Sequence, residues 1–255
     1  MSDSFTDQTR FDGKVVLITG GSSGLGAAMA EGFAQQGADI VISGRRADRL
    51  KQTAAAVEKA GRRCLCVTAD VSRPEDCERV AEAAIEEFGR LDVLVNNAGI
   101  GTAYPMTRET PEQFREVIDI NLNGTYWMSQ SAARRMKPGS NIINISSVLA
   151  TTSTGLPQAA YTASKAAVIG LARELAVQLT GRKGIRVNAI QPGYFPSEMT
   201  DTQGDEFMQE MARRAPAGRL GESAELVNTA IFLASDAASF ITGVSLPVDG
   251  GLLLV

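Results

Sequence analysis

The chain has 255 residues and a formal net charge of −4 at pH 7, with 44% hydrophobic and 21% charged residues. This is the composition of a globular protein, and the acidic balance argues against a nucleic-acid-binding or anionic-membrane surface. The polar start MSDSFTDQTR lacks the apolar core of a signal peptide, and no apolar run reaches the length of a membrane span.

Seven short apolar runs alternate with stretches of helical periodicity. They predict strands at residues 14–19, 39–43, 63–69, 91–97, 141–147, 185–191 and 243–249. Strands that alternate with helices form right-handed βαβ units, so the expected fold class is α/β: a doubly wound parallel sheet with helices on both faces. Residues 1–10 are expected to form a flexible N-terminal tail and residues 11–255 a single domain, with an irregular segment near 194–216.

The first predicted strand is followed by TGGSSGLG, residues 19–26, which also opens the first helix. Glycines at this junction allow a tight turn and a close backbone approach, and the helix N-terminus offers free N–H groups to a pyrophosphate. The position at the first βα junction favours a dinucleotide site over a plain strand–helix turn, which is the alternative. The predicted cofactor contacts in this loop are Gly20, Ser22, Ser23, Gly24, Leu25 and Gly26.

The end of the second strand reads Ser43-Gly44-Arg45-Arg46, where dinucleotide-binding folds often carry an acidic residue for the adenosine ribose. Arg45 lies where the ribose is expected and can hold a 2′-phosphate through two parallel hydrogen bonds. Arg46 is the second candidate. The pair predicts that NADP(H) is favoured, with NAD(H) as the second cofactor; the alternative is two solvated arginines at a helix start.

The three cysteines are Cys64, Cys66 and Cys77. Cys64 and Cys66 are two positions apart in a predicted strand, so they point to one face. We interpret them as small core residues; the alternative is a metal or redox pair, but no second Cys/His pair exists to complete such a site, and no metal is expected. The odd count, with no secretory signal, favours a reducing, cytoplasmic location.

Two helix starts have the spacing of a capping box. Ser72 precedes Pro74 and Glu75, and Thr110 precedes Pro111. Both positions are therefore expected to begin helices.

The stretch YTASK, residues 161–165, places Tyr161 and Lys165 on one face of a predicted helix, in a chain without histidine. A free tyrosine has a pKa of ~10 and a free lysine ~10.4, so neither alone is a good base at neutral pH. An adjacent cation lowers the pKa of a tyrosine. Tyr161 is therefore the best proton donor and acceptor in the chain, although such a pair by itself is also typical of a surface helix.

Five motifs occur in a fixed order. They are TGGSSGLG at 19–26, NNAG at 96–99, NISS at 144–147, YTASK at 161–165 and PG at 192–193. Together they resemble the short-chain dehydrogenase/reductase family of single-domain, Rossmann-type proteins, over nearly the whole chain from Lys14 to Asp249. The resemblance implies that residues 11–255 form an NAD(P)-binding catalytic domain.

The resemblance also implies residue roles. Ser147 would hydrogen-bond the substrate oxygen, Tyr161 would be the general acid/base, and Lys165 would hold the nicotinamide ribose and lower the tyrosine pKa. Asn121, in INLNG, would order a water that leads from the lysine to bulk solvent. Further cofactor contacts are implied at Asp70 and Val71 for the adenine, at Asn97, Ala98 and Gly99 for the adenosine ribose, and at Pro192, Gly193, Phe195 and Ser197 in the loop at the nicotinamide.

The expected activity is hydride transfer between a nicotinamide cofactor, with NADPH favoured, and a ketone or secondary alcohol, as in a carbonyl reductase. Two other functions on the same fold are an epimerase or dehydratase, and a non-catalytic NADP(H)-binding regulator. The substrate pocket is expected to use residues 149–156, Tyr194, Phe195 and 197–214, with help from 100–105, which are mostly apolar or small.

The family resemblance implies a homotetramer with a small-molecule substrate as its other partner. Long helices predicted near 110–137 and 158–181 carry more apolar residues than one buried stripe needs, and the apolar end GLLLV (251–255) is a further candidate for such an interface.

Overall fold

The computed structural model describes residues 4–198, 200 and 204–255. Within this part all seven predicted strands form, close to their predicted bounds. They are β1 Val15–Thr19, β2 Asp39–Gly44, β3 Cys64–Thr68, β4 Val93–Asn96, β5 Asn141–Ile145, β6 Arg186–Pro192 and β7 Ser245–Val248. The helices are α1 Phe5–Gln8, α2 Gly24–Gln35, α3 Ala47–Lys59, α4 Pro74–Phe88, α5 Pro111–Ile118, α6 Gly124–Arg135, α7 Ala159–Lys183, α8 Asp205–Arg214 and α9 Ser223–Ala234.

The strands form one parallel sheet in the order β3-β2-β1-β4-β5-β6-β7. Alternate residues of β1 join different hydrophobic clusters: Val16 and Ile18 pack with α2, α3 and α9, whereas Val15 and Leu17 pack with α4, α6 and α7. Because both faces are covered by helices, a central strand such as β1 is apolar on both faces rather than alternating between apolar and polar residues. The predicted doubly wound α/β fold is confirmed.

The helical segment that begins at α5 continues into α6 through a π-helical turn, Asp119–Asn123. This matches the long helix predicted near 110–137, and α7 matches the one predicted near 158–181. A π-helical turn inside an α-helix often marks a functional position. Asn121 lies in this turn and is fully buried.

Local structure differs from the sequence prediction at two places. Thr110 caps α5 as predicted, because its hydroxyl accepts a hydrogen bond from the N–H of Gln113 at 3.3 Å. Ser72 does not cap α4: its hydroxyl donates to Asp70 Oδ1 at 2.8 Å, and Arg73 occupies the N-cap. The Asp70 carboxylate accepts this hydrogen bond within a local turn, so the Ser72 hydroxyl does not bond the first turn of α4. In addition, the segment expected to be irregular near 194–216 contains α8, although residues 199 and 201–203 lie outside the described residues.

The predicted start of the domain coincides with a core contact. Phe11 is buried, and its ring meets that of Phe33 edge to face at 5.1 Å between centroids. Helix α1 lies within the range predicted as a tail, whose residues 1–3 are not described; the flexibility of residues 1–10 stays a prediction. Among the described residues, no helix is long and apolar enough to cross a membrane.

The cysteines occupy core positions. Cys64 and Cys66 pack against the same hydrophobic cluster, which confirms that they share a face of β3. Burial raises the thiol pKa of all three cysteines, to about 12 for Cys77. The thiols are therefore protonated at neutral pH, which favours their interpretation as core residues.

Candidate active site

A cleft opens at the carboxyl ends of β1 and β4. These strands are neighbours, but the chain runs from β1 outward to β2 and β3 and from β4 outward to β5, β6 and β7. Open α/β sheets bind ligands at such a switch point. The cleft has a volume of about 620 Å³, in the usual range for small-molecule pockets. All predicted site residues line it except Asn121.

The glycine loop after β1 leaves the backbone open to a ligand. Gly20 has a φ of 66°, a conformation that side chains disfavour. A Cβ on Gly26 would overlap the carbonyl oxygen of Gly20 and the side-chain amide of Asn97. Asn97 Nδ2 donates to the carbonyls of Thr19 and Gly20 at 3.1 and 3.2 Å, so it holds the loop in this shape.

The first turn of α2 follows this loop. Ser23 occupies the N-cap without a side-chain hydrogen bond to the helix, and Gly24, Leu25 and Gly26 line the cleft. Uncapped N–H groups and the positive end of the helix dipole suit a pyrophosphate. The loop and helix start therefore fit a dinucleotide cofactor.

Arg46, rather than Arg45, contacts the glycine loop. Arg46 Nη2 donates to Ser23 Oγ at 2.7 Å and to Ser22 Oγ at 3.4 Å, while Nη1 pairs with Glu198 at 3.0 Å. The hydrogen bond from Arg46 lowers the pKa of the Glu198 carboxyl, which is ionised at neutral pH. Arg45 lines the cleft and forms no hydrogen bond or ion pair within the described part of the chain.

Asp70 and Val71 line the cleft just beyond β3. The N–H of Asp70 donates to Asp76 Oδ2 at 2.8 Å, and its carboxylate accepts from the N–H and the hydroxyl of Ser72. These bonds fix the turn that leads into α4.

Ser147 follows β5, and Tyr161 lies in the first turn of α7. Burial raises the pKa of the Tyr161 phenol, and a hydrogen bond with Ser147 opposes part of that rise. The neighbouring Ser146 instead donates to the carbonyl of Lys165 at 2.7 Å, so the two serines point apart as expected for adjacent strand-end positions. The lowered tyrosine pKa predicted from Lys165 is not seen in the protein chain alone, because desolvation outweighs the other effects.

Lys165 and Tyr161 share one face of α7, with Lys165 Nζ 5.7 Å from the centre of the Tyr161 ring. The ammonium donates to the carbonyl of Ile145 at 2.8 Å and is almost fully buried. Desolvation lowers the pKa of Lys165 to about 8.

Asn121 lies behind the cleft rather than in its wall. Its amide exchanges two hydrogen bonds with the backbone of Ile100, at 2.8 and 2.9 Å, and donates to Ser164 Oγ at 3.0 Å. It therefore ties the loop after β4 to α7. A Cβ on Gly99 would lie 3.2 Å from Asn121 Oδ1 and 3.4 Å from Lys165 Nζ, so the backbone of Gly99 packs closely against both groups.

Part of the segment predicted to form the substrate wall lines the cleft. Tyr194 lines the cleft, and its hydroxyl is 3.1 Å from that of Thr154, while its ring packs edge to face on Phe207 of α8. Leu149 and Leu156 contribute apolar surface. Phe195 reaches the lining but is mostly a core residue.

The loop after β6 closes this wall. Pro192 ends the strand, and the N–H of Gly193 donates to the carbonyl of Val248 at 2.9 Å. The N–H of Ser197 donates to Thr200 Oγ1 at 2.9 Å, which forms a local turn.

Sequence reasoning missed two features of the cleft. Gln158 lines it one helical turn before Tyr161, and its buried Oε1 has no hydrogen-bond partner among the described residues. The three-residue spacing to Tyr161 was a usable signal for this position. The ion pair between Arg46 and Glu198 joins residues 152 positions apart, so no local sequence pattern predicts it.

Comparisons with known proteins agree with this geometry. A family model described as enoyl-(acyl carrier protein) reductase matches residues 20–253. The L-rhamnose 1-dehydrogenase (NAD(P)(+)) of Sphingomonas sp. is 38% identical over 247 residues, which cover 94% of this chain and 96% of that protein. The 3-oxoacyl-(acyl-carrier-protein) reductase FabG of Escherichia coli is 36% identical over 247 residues, with 96% and 99% covered. A crystal structure of a short chain dehydrogenase from Burkholderia cenocepacia in complex with NADP superposes with a TM-score of 0.91 at 34% identity, covering 95% of this chain and 99% of that one.

Proposed function

The chain belongs to the short-chain dehydrogenase/reductase family and is an NAD(P)-dependent oxidoreductase of alcohols and ketones, and from this premise we propose that it is a carbonyl reductase that favours NADP(H). The observation that carries the proposal is one continuous cleft, with the glycine loop at β1 and Ser147, Tyr161 and Lys165 at β5 and α7. An epimerase, a dehydratase or a non-catalytic regulator is not favoured, because the relatives are named as dehydrogenases and reductases.

A nicotinamide dinucleotide bound in the cleft supplies or accepts the hydride. Ser147 and Tyr161 hold the substrate oxygen, on which negative charge develops during reduction. Tyr161 donates its phenolic proton to that oxygen. The raised pKa of Tyr161 keeps the phenol protonated at neutral pH, which suits its role as the acid in the reductive direction.

Lys165 and Asn121 complete the proposed site. The Lys165 ammonium holds the nicotinamide ribose and stabilises the phenolate that remains after proton transfer. Asn121, which fixes the loop after β4 against α7, orders the water through which the proton is returned from solvent. Asp70, Val71, Ala98 and Gly99 form the adenosine side of the cofactor site, and Pro192, Gly193, Phe195 and Ser197 its nicotinamide side.

The proposed preference for NADP(H) rests on two arginines and on the lack of a carboxylate at Gly44. Arg45 reaches the cleft unpaired within the described residues, and Arg46 already bonds the glycine loop. A charge-assisted contact with a 2′-phosphate contributes ~1.5–3 kcal/mol, roughly tenfold to a hundredfold in affinity. NAD(H) is the proposed second cofactor, because Ser23 stands where a further basic residue would strengthen phosphate binding.

The proposed substrate is a neutral ketone, with hydroxyl groups tolerated. The described wall on the substrate side has apolar Leu149 and Leu156 and the ring of Tyr194, whose hydroxyl is hydrogen-bonded to that of Thr154. Charged lining residues other than Lys165 lie on the adenosine side or at the Arg46–Glu198 pair. Nicotinamide absorbance should therefore change with a sugar or with a 3-oxoacyl thioester, compounds of the kinds that the names of the two relatives contain, and the panel separates the two.

Replacing Tyr161 by Phe tests the proposal most directly. The Tyr161→Phe variant should lose about 10²- to 10⁴-fold in kcat, the usual contribution of an acid–base group, while keeping its affinity for NADPH. Tyr126→Phe, on the surface of α6, is the matched control and should keep full activity. A Tyr161→Phe variant that retains more than about a tenth of kcat would exclude the phenol as the acid.

We also propose a cytoplasmic homotetramer. Val177 on α7 is 78% exposed, and Phe114 and Tyr126 add apolar surface on α5 and α6. At the C-terminus Leu252 is buried, whereas Leu254 and Val255 are exposed. Apolar surface of this extent favours association. Light scattering at micromolar concentration should give about four times the 27.0 kDa chain mass, and a monomer would exclude it.

A further inference from the structure

We propose, on the basis of the proposed function, that Glu198 is a cofactor-specificity residue: it competes with the 2′-phosphate of NADP(H) for Arg46 and so moderates the preference over NAD(H). Glu198 belongs to the loop after β6 and is distant along the chain from the residues that the sequence assigns to the adenosine ribose.

Arg46 has two sets of partners in the structure. One nitrogen of its guanidinium bonds Ser23 at 2.7 Å on the glycine loop, and the other pairs with Glu198 at 3.0 Å. Arg49 also approaches Glu198, at 3.4 Å. The Glu198 carboxylate therefore lies between the cation of Arg46, the N-cap of α3, and that of Arg49 within α3, at the rim of the cleft where Arg45 and Arg46 both reach the lining.

The ion pair between Arg46 and Glu198 is weak enough for another anion to replace Glu198. The side chains of Arg46 and Glu198 are 49% and 45% exposed, and ion pairs in solvent contribute little stability. A phosphate dianion offers the guanidinium more charge and more acceptor oxygens than a carboxylate does. Because Arg46 cannot hold both anions in the same geometry, a 2′-phosphate must displace Glu198 or remain beside its negative charge.

A cofactor with a 2′-hydroxyl leaves the pair intact. NAD(H) therefore binds without this exchange, whereas NADP(H) gains from Arg45 and Arg46 but loses the contact of Arg46 with Glu198. Glu198 thus lowers the discrimination between the two cofactors without contacting the reacting atoms.

The experiment measures equilibrium Kd values for NADPH and NADH with purified wild-type protein and the Glu198→Gln variant. Gln keeps the shape and the hydrogen-bonding capacity of the side chain but removes its charge. We expect the preference for NADPH, expressed as the ratio of the two Kd values, to rise about two- to fivefold, mainly through tighter NADPH binding. A rise of less than about twofold, or a fall, overturns the proposal.

Two further variants show whether the effect passes through Arg46. Asp48→Asn removes an exposed charge from α3 outside the cleft lining, and screening should hold its effect on the ratio below about twofold. In an Arg46→Ala background, Glu198→Gln should change the ratio by a smaller factor than in the wild type; an equal factor overturns competition for Arg46. Wild-type protein that binds neither nucleotide would instead refute the proposed function itself.

Discussion

Lys165 should make the folded protein less stable at neutral pH than at alkaline pH. Its ammonium is almost fully buried, and within the described residues one hydrogen bond, to the carbonyl of Ile145, compensates it. Desolvation lowers its pKa to about 8, while the unfolded chain keeps the ordinary lysine value of about 10.4.

The size of the effect follows from this difference. Below pH 8 the lysine is protonated in both states, and the folded state carries the full cost, about 3 kcal/mol at about 1.4 kcal/mol per pKa unit. Above pH 8 the folded state loses the proton while the unfolded state keeps it, so the cost declines and vanishes above about pH 10.4. At pH 9.5 about 1 kcal/mol remains, so the contribution of Lys165 becomes about 2 kcal/mol less unfavourable between pH 7 and pH 9.5.

The Lys165→Met variant isolates this effect in the cofactor-free protein. Met has a similar length without charge, although the Ile145 carbonyl loses its partner at a cost of ~1–3 kcal/mol that does not vary with pH. Urea unfolding of both proteins at pH 7 and pH 9.5, at one protein concentration, gives the difference in unfolding free energy. We expect the variant to lose about 2 kcal/mol relative to the wild type over this interval.

An exposed lysine provides the control. Lys137, after α6, is exposed, and Lys137→Met should show a difference from the wild type that is the same at both pH values. If the Lys165→Met difference is also independent of pH, the reasoning from desolvation is refuted.

Three other predictions concern the cofactor site and assembly. Gly26→Ala places a Cβ against the Gly20 carbonyl and should abolish nucleotide binding measured by calorimetry. Gly170→Ala is the control, because a Cβ there meets open space in α7, and it should leave binding unchanged. Normal binding by the Gly26 variant would contradict the loop geometry. Gly44→Asp with Arg45→Ala should shift kcat/KM toward NAD(H) by roughly tenfold to a hundredfold, and an unchanged ratio would mean that Arg45 is only a solvated side chain. Val177→Arg should reduce the mass measured by light scattering, because it places a charge on the exposed apolar face of α7, and an unchanged tetramer mass would locate the interface elsewhere.

The fold could be predicted because local and global signals agree. Apolar runs such as Val15–Thr19 and the glycine turn after it are local patterns, and strand–helix alternation restricts the topology to a parallel, doubly wound sheet. The same holds for Tyr161 and Lys165. Helix geometry alone places residues four positions apart on one face, whatever the tertiary packing. Ser72 was predicted wrongly as a cap because the competing acceptor, Asp70, lies outside the capping pattern.

What could not be predicted depends on distant contacts. The direction of the Tyr161 pKa shift is set by burial, which a sequence pattern does not report. The family resemblance assigns Asn121 to the site. In the structure its amide hydrogen-bonds the backbone of Ile100 and the hydroxyl of Ser164, contacts that form only when the π-helical turn is folded. The partner of Arg46, Glu198, comes from the loop after β6, 152 positions away along the chain.

The charged residues on the two sides of the cleft differ in their exposure to solvent, so we expect substitutions of them to have different effects. Lys165 is desolvated, so each contact to its ammonium acts in a low-dielectric environment and a substitution there alters both stability and the environment of Tyr161. Arg46 and Glu198 are half exposed, so exchanging one partner changes binding by a modest factor and leaves the core untouched. We therefore expect single rim substitutions to change the cofactor preference while Ser147, Tyr161 and Lys165 keep their positions, because the rim pair shares no hydrogen bond with them in the described structure.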